Sequence, residues 1–225
     1  MSSSNGVCAV VPFKSLQHAK QRLADYLNTE QRAKLVAAML EDTLRALIAT
    51  EGLNRVLLVS NDPFTEELAT RLGVDQQSEP AQSSGLNAVL QAVCTDLAQQ
   101  GYESVLIAHG DLPLLVAREL RQLLGHHRAL ASSAKISLVP DRARDGSNCL
   151  LCSPPNVLRF SYGQGSCEKH LAIAAQGGIQ SEVVELAGAS LDIDEPLDLQ
   201  HLVESTQLHS ASKTHQVITQ ATFQR

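Results

Sequence analysis

Tryptophan is absent from this 225-residue chain, aromatic residues make up only 3% of it, and no apolar run approaches the ~18 residues of a membrane span. Without large rings, the core has to be built from Leu, Val, Ile and Ala. Basic residues are also scarce. The 18 Lys and Arg against 24 Asp and Glu leave a net charge of -6, which excludes the basic stripe a nucleic-acid binder presents to phosphates. The segment before Val7 is too short and polar for a secretion signal, so a cytoplasmic location is expected. The five cysteines (Cys8, Cys94, Cys149, Cys152, Cys167) are odd in number and scattered through apolar segments, which excludes a disulfide framework. Cys149 and Cys152 have C-x-x-C spacing but no second pair, and read as packing residues. There is no Walker G-x-x-x-x-G-K-[ST] loop either.

What is present is ordinary in amount and regular in order. At this length roughly 70% of the unfolded surface can be buried, so a self-sufficient core is expected. Short continuous apolar runs at 7–11, 56–59 and 105–108 read as strands covered on both faces. Between them lie helical patterns: a stripe of Leu35, Val36, Met39, Leu40, Leu44 and Leu47, with Asn28 and Gln31 spaced as a capping box. A second helix runs from Asp62-Pro63 to Gly73, Pro first and Gly last. Further helices are expected over 84–99, 116–124, 166–175 and 196–204, and strands at 136–139, 149–151 and 183–186. This alternation implies one domain over 1–205 with a Rossmann-like, doubly wound, mostly parallel sheet. The region 141–165 reads as a β insertion walling a pocket, and 206–225 as a polar, frayed tail with room for one helical turn. The oligomeric state is not specified, and a homodimer is compatible with the reading.

In open α/β sheets ligands lie at the carboxyl ends of strands, so the residues after each apolar run carry the interest. Lys14, Lys20 and Arg22 bring three cations into the loop after the first strand, a natural cradle for a triphosphate; a solvated basic loop would look the same. Asp111 follows the third strand, between Gly110 and Leu112-Pro113, as a metal ligand or a turn aspartate. In an extended segment Asp192 and Asp194 point to one face, about 6–7 Å apart, with Ile193 toward the core. Two such carboxylates repel unless a cation lies between them, and oxygen-only ligands suit Mg2+ bound to phosphates. Asp194 could also cap the helix that starts at Pro196. Taken together, three carboxylates and a cationic loop at strand ends describe a nucleotide-phosphate enzyme.

The ordered set of motifs resembles a known family. Val11-Pro12-Phe13-Lys14 through Lys20-Gln21-Arg22-Leu23, Gly85-Leu86-Asn87-Ala88, Gly110-Asp111-Leu112-Pro113-Leu114, Val139-Pro140 through Gly146-Ser147-Asn148, Tyr162-Gly163 with Ser166 and His170, and Asp192-Ile193-Asp194-Glu195-Pro196 are similar to the phospholactate guanylyltransferases of coenzyme F-420 biosynthesis, relatives of the molybdenum-cofactor nucleotidyltransferases. The resemblance implies a nucleotide-diphospho-sugar transferase-like fold and a Mg2+-dependent transfer of GMP from GTP to a small phosphorylated acid, with pyrophosphate released. It implies that Asp111, Asp192 and Asp194 hold Mg2+, and that Ser147, Gly163 and Ser166 receive the acceptor. Gly85 and Asn87 are then expected at the guanine base, and Ser166 as the N-cap of its helix. The acceptor nucleophile is a phosphate oxygen already anionic near neutral pH, so no catalytic His is expected; His109 reads as structural, and His170 as facing the acceptor. Among 3-phospho-D-glycerate, phosphoenolpyruvate and 2-phospho-L-lactate, the first is favoured on the expectation that the compact Cys94 lines the acceptor pocket beside Leu90. The competing readings are a glycosyltransferase with a D-x-D metal pair and a non-catalytic GTP-binding subunit.

Overall fold

A computed structural model describes residues 6–17, 20–205 and 212–220. Its centre is a seven-stranded sheet in the order β3-β2-β1-β4-β6-β5-β7, formed by β1 (Val7–Pro12), β2 (Arg55–Val59), β3 (Asp75–Gln77), β4 (Ser104–Ala108), β5 (Lys135–Pro140), β6 (Ser147–Ser153) and β7 (Gln180–Val183). Neighbours are parallel except around β6, which runs antiparallel to both β4 and β5. The expected β insertion is therefore not a separate wall. Its strand is β6, built into the sheet itself, and only the flanking loops are irregular.

Strand residues alternate between two cores, which is why the runs read as continuously apolar. Ala9, Val11, Leu106, Ala108, Cys149 and Leu151 face one layer, with Leu40, Leu44 and Leu47 of α1 (Thr29–Ile48), Leu68 of α2 (Pro63–Leu72) and Leu120, Leu123 and Leu124 of α4 (Ala117–Ala129). Cys8, Val10, Val105, Ile107, Leu150 and Cys152 face the other, with α3 (Leu86–Gln99) and α5 (Ser166–Gln176). Cys149 and Cys152 thus point to opposite faces and cannot share a bond or a metal. A third cluster packs Leu35 and Met39 of α1 under Leu199 and Leu202 of α6 (Pro196–Glu204), together with Leu191 and Ile193. Each fully buried Leu contributes roughly 1.5–3 kcal/mol of burial, and this third cluster anchors the segment that carries Asp192 and Asp194.

Helix ends follow their local chemistry. Asn28 and Gln31 form the capping box, and Asp62 caps α2 with Pro63 at its first position. Three expectations need correcting. The last strand lies at Gln180–Val183, before the apolar 183–186 run, because it is a polar edge strand paired only with β5. Asp194 does not cap α6; Glu195 does, reciprocally with Asp198. The tail carries a two-turn helix, α7 (Lys213–Gln220), fastened to α1 by Asp42, whose carboxylate accepts the N–H groups of Lys213 and Thr214 at 2.9 and 2.8 Å. Residues 206–211 and 221–225 of the expected tail lie outside the described residues.

Candidate active site

The carboxyl ends of β1 and β4 and the segment before α6 converge on one cationic side chain. Lys20 precedes a single 3-10 turn (Gln21–Leu23) with its backbone in the left-handed region, φ 52°, a conformation that costs a non-glycine residue and that functional sites retain. Its ammonium bonds Asp111 Oδ2 and lies 2.5 Å from Asp194 Oδ1. Burial works against this charge, but Asp111 and Asp194 together hold the Lys20 pKa above the usual lysine range. Asp111 responds in the opposite sense. Burial would raise its pKa, and Lys20 and His109 outweigh that and keep it low. Its other oxygen, Oδ1, is buried without a hydrogen-bond partner among the described residues.

Asp192 stands beside this pair in a different state. Burial, then the charge of Asp111, push its pKa up to about 6, against a hydrogen bond from Asn148 Nδ2 at 3.2 Å. Ile193 is fully buried between the two aspartates, so the alternation read from the sequence is present. Arg22 is exposed and pairs with Glu195 at 3.0 Å. Lys14 is exposed and makes no ion pair with any described residue.

The other half of the site is uncharged. Ser147, at the first position of β6, lies 3.0 Å from His170 Nδ1 and accepts a hydrogen bond from Ser166 Oγ at 3.3 Å. Ser166 in turn donates its N–H to the Gly163 carbonyl at 3.0 Å. The three residues expected at the acceptor are therefore brought together. Ser166 is the first residue of α5, not its cap, which is Gly165. The direction of the hydrogen bonds follows from the backbone. Ser161 N–H donates to His170 Nε2 at 2.9 Å, so the proton of the neutral ring is on Nδ1 and donates to Ser147. Burial, then nearby His109, lower the His170 pKa to about 4, so the ring stays neutral near pH 7. Ser147 Oγ thus accepts from two sides, and its own proton is left for a third oxygen.

Tyr162 joins the two halves, its ring 5.3 Å from His109 and 4.8 Å from His170 between centroids. Asn87 secures it, donating Nδ2–H to the Tyr162 carbonyl at 3.1 Å and accepting its N–H at 2.7 Å. Both amide atoms are thus engaged with backbone, and Asn87 ties α3 to the Tyr162 loop, with a second N–H on Nδ2 and a second lone pair on Oδ1 left over. Gly85 is exposed with φ 83° at the start of α3 and has open space where a Cβ would stand. Cys94 and Leu90 are both fully buried in the sheet-facing core. Cys94 lines no pocket, so the physical ground for favouring 3-phospho-D-glycerate is lost.

A family model described as "Guanylyl transferase CofC like" matches residues 7–218. The chain belongs to this family. The enzyme is 36% identical over 196 residues to the phosphoenolpyruvate guanylyltransferase of Conexibacter woesei, covering 87% of this chain and 86% of that protein. It is 38% identical over 200 residues to the protein of the same name from Rubrobacter xylanophilus, covering 88% and 94%. Among solved structures, a Desulfovibrio desulfuricans protein assigned to the nucleotide-diphospho-sugar transferases matches with a TM-score of 0.77 at 14% identity, covering 96% of this chain and 95% of that one. A nucleotidyl transferase from Methanothermobacter matches at 0.62 and 17%, covering 88% and 96%. These distant structures bear on the fold, which is the transferase-like α/β domain expected. The chain is a nucleotidyltransferase, and none of its described helices is long and apolar enough to cross a membrane.

The residues of this guanylyltransferase suit Mg2+ in kind. As the side chains stand, no three His, Cys, Asp or Glu among the described residues are grouped to hold a metal; the cation between Asp111 and Asp194 is the Lys20 ammonium. The donors are nevertheless all carboxylate oxygens, and one buried Asp111 oxygen lacks a partner. Such oxygens match a hard divalent cation shared with phosphates.

Proposed function

We propose that the enzyme transfers the GMP unit of GTP to the phosphate of phosphoenolpyruvate, releasing pyrophosphate, as a step toward coenzyme F-420. The observation that carries the acceptor is the name borne by relatives 36–38% identical over nearly the whole chain, phosphoenolpyruvate guanylyltransferase. It replaces the earlier preference for 3-phospho-D-glycerate, whose support was Cys94.

The chain's residues divide the work between two anions. Lys14, Lys20 and Arg22 hold the triphosphate, while Gly85 lets backbone approach the base. Asp111, Asp192 and Asp194 would hold Mg2+, which when bound would supply neutralisation of phosphate charge. Ser147, Gly163 and Ser166 receive the acid, the Ser147 proton being directed at one of its oxygens. In this reading the acceptor oxygen forms the new bond to the α-phosphorus, the bond to the bridging oxygen of the β-phosphate breaks, and no side chain has to remove a proton. Positioning and charge neutralisation supply the rate, as in other phosphoryl-type transfers.

The test is a competition. Purified enzyme, limiting GTP and Mg2+ are mixed with equal phosphoenolpyruvate, 3-phospho-D-glycerate and 2-phospho-L-lactate, and guanylylated products are counted by mass spectrometry. The enolpyruvate product is expected in excess. Predominance of either other product refutes the acceptor, and pyrophosphate release without any acid refutes the transfer.

A further inference from the structure

Two buried polar side chains that belong to neither substrate grip the segment just before Asp192. Glu119, in the first turn of α4 and 6% exposed, accepts the N–H of Gly188 at Oε1 (2.8 Å) and of Ala189 at Oε2 (3.1 Å). Asn148, the second residue of β6 and 4% exposed, donates Nδ2–H to the Ala189 carbonyl at 3.1 Å and to Asp192 Oδ1 at 3.2 Å. One residue, Ala189, is thus held at its N–H by a carboxylate from one element and at its C=O by an amide from another. The Asn148 main-chain carbonyl also accepts the N–H of His109 at 3.1 Å, two residues before Asp111. Asn148 therefore touches both arms of the carboxylate set, one through its backbone and one through its side chain.

Packing closes the grip. A Cβ at Gly188 would lie 2.2 Å from the Leu114 carbonyl oxygen and 2.7 Å from Glu119 Oε2. The backbone oxygen cannot retreat as a flexible side chain could, so any larger residue must displace the segment. A surface-exposed loop has no need of such contacts. Burying a carboxylate is costly unless its oxygens are hydrogen-bonded, and here both Glu119 oxygens are engaged with this one segment.

We infer that Glu119 and Asn148 are positioning residues that set where Asp192 stands relative to Asp111, and so tune cation binding by the carboxylates. The inference rests on the proposed role of those carboxylates. Groups that orient a metal's ligands change affinity by about 10- to 100-fold when altered. The isosteric Glu119→Gln removes one of the two acceptor oxygens and leaves the volume unchanged. Asn148→Ser removes the link to Asp192 while the backbone bond to His109 stays.

The experiment measures Mn2+ binding in the presence of GTP, from the signal of free aqueous Mn2+ in electron paramagnetic resonance, on full-length protein whose folding is checked by circular dichroism. Binding about tenfold or more weaker is expected for Glu119→Gln, Asn148→Ser and Gly188→Ala. The Mg2+ concentration for half-maximal turnover should rise in parallel, and the KM for GTP at saturating metal should stay within about twofold. Should one of the three fail to fold, the others carry the test. Asp192→Asn separates the two layers of the argument. If it binds Mn2+ like the wild type, the metal assignment fails and the inference with it. If it loses Mn2+ while folded Glu119→Gln or Asn148→Ser binds normally, the positioning role alone is overturned.

Discussion

Lys20 and Asp194 are 174 residues apart in sequence, and their charged atoms are 2.5 Å apart in space. With Asp111 on its other side, the ammonium lies between two of the carboxylates proposed for the metal. The consequences can be measured in one variant.

Lys20→Met leaves Asp111 and Asp194 facing each other without a counter-charge. In chelator the variant should melt lower than wild type by on the order of 5 °C, since stranding buried charge costs a few kcal/mol. Added Mg2+ should raise its melting temperature more than it raises that of the wild type, and kcat/KM for GTP should fall by on the order of 100-fold. Equal melting and equal Mg2+ response would remove Lys20 from the carboxylate site.

His170→Phe keeps a ring under Tyr162 but removes the Nδ1–H that points at Ser147. The KM for the acceptor acid should rise roughly tenfold, the worth of one or two hydrogen bonds, while the KM for GTP changes little. His170→Asn, which can offer an N–H, should recover part of the loss. An effect confined to GTP would place this ring on the wrong side of the site.

His127 lies far from this chemistry, buried between Ser137 and Ser153 at 2.9 and 2.7 Å. Burial, then Lys135, lower its pKa to about 4, against about 6.5 in an unfolded chain. Between those values the unfolded state binds the extra proton. The stability this neutral ring contributes is therefore intact above about pH 6.5 and lost as pH falls toward 4. From pH 7 to pH 4.5 the loss should be ~2 kcal/mol by linkage. Urea melts of wild type and His127→Gln across that range should show a shallower pH slope in the variant; identical slopes would contradict the assignment.

Asp42→Ala removes the acceptor for the first two N–H groups of α7. A loss of ~1 kcal/mol is expected, the usual worth of such a cap, with faster amide exchange over 213–220 than elsewhere. Unchanged exchange there would mean that Ile218 and its neighbours dock the helix without the cap.

The sheet was legible because its central strands are covered on both faces and so are apolar throughout, and α1 and α2 because their caps obey local rules. β3 and β7 were not, since Asp75–Gln77 and Gln180–Val183 are short, polar edge strands that exist by pairing with β2 and β5. The helix α7 was missed for a related reason: Asp42, 171 residues earlier, supplies its start. Within the site, Asp111, Asp192 and Asp194 announced themselves by following strands or alternating about a buried Ile. Glu119 gave no signal, because a glutamate in the first turn of a helix is ordinarily a solvated residue that suits the helix dipole. Only the fold brings Gly188 and Ala189 onto its oxygens. The hold of Asn87 on the Tyr162 backbone gave no signal either, because an amide that pins a loop looks like any other amide in sequence.

The reversed strand gives the site its mechanical asymmetry. In a wholly parallel sheet every group offered to a ligand would hang from the loop that leaves a strand. Because β6 runs backward, Ser147 and Asn148 are its opening residues, Ser147 paired with Pro140 of β5 beside a register shift and Asn148 accepting the N–H of His109 just past β4. The cations, by contrast, are carried on the loop after β1 and on one short 3-10 turn. The groups proposed for the acid therefore open a strand of the sheet, whereas the cations proposed for the nucleotide are carried on chain outside it.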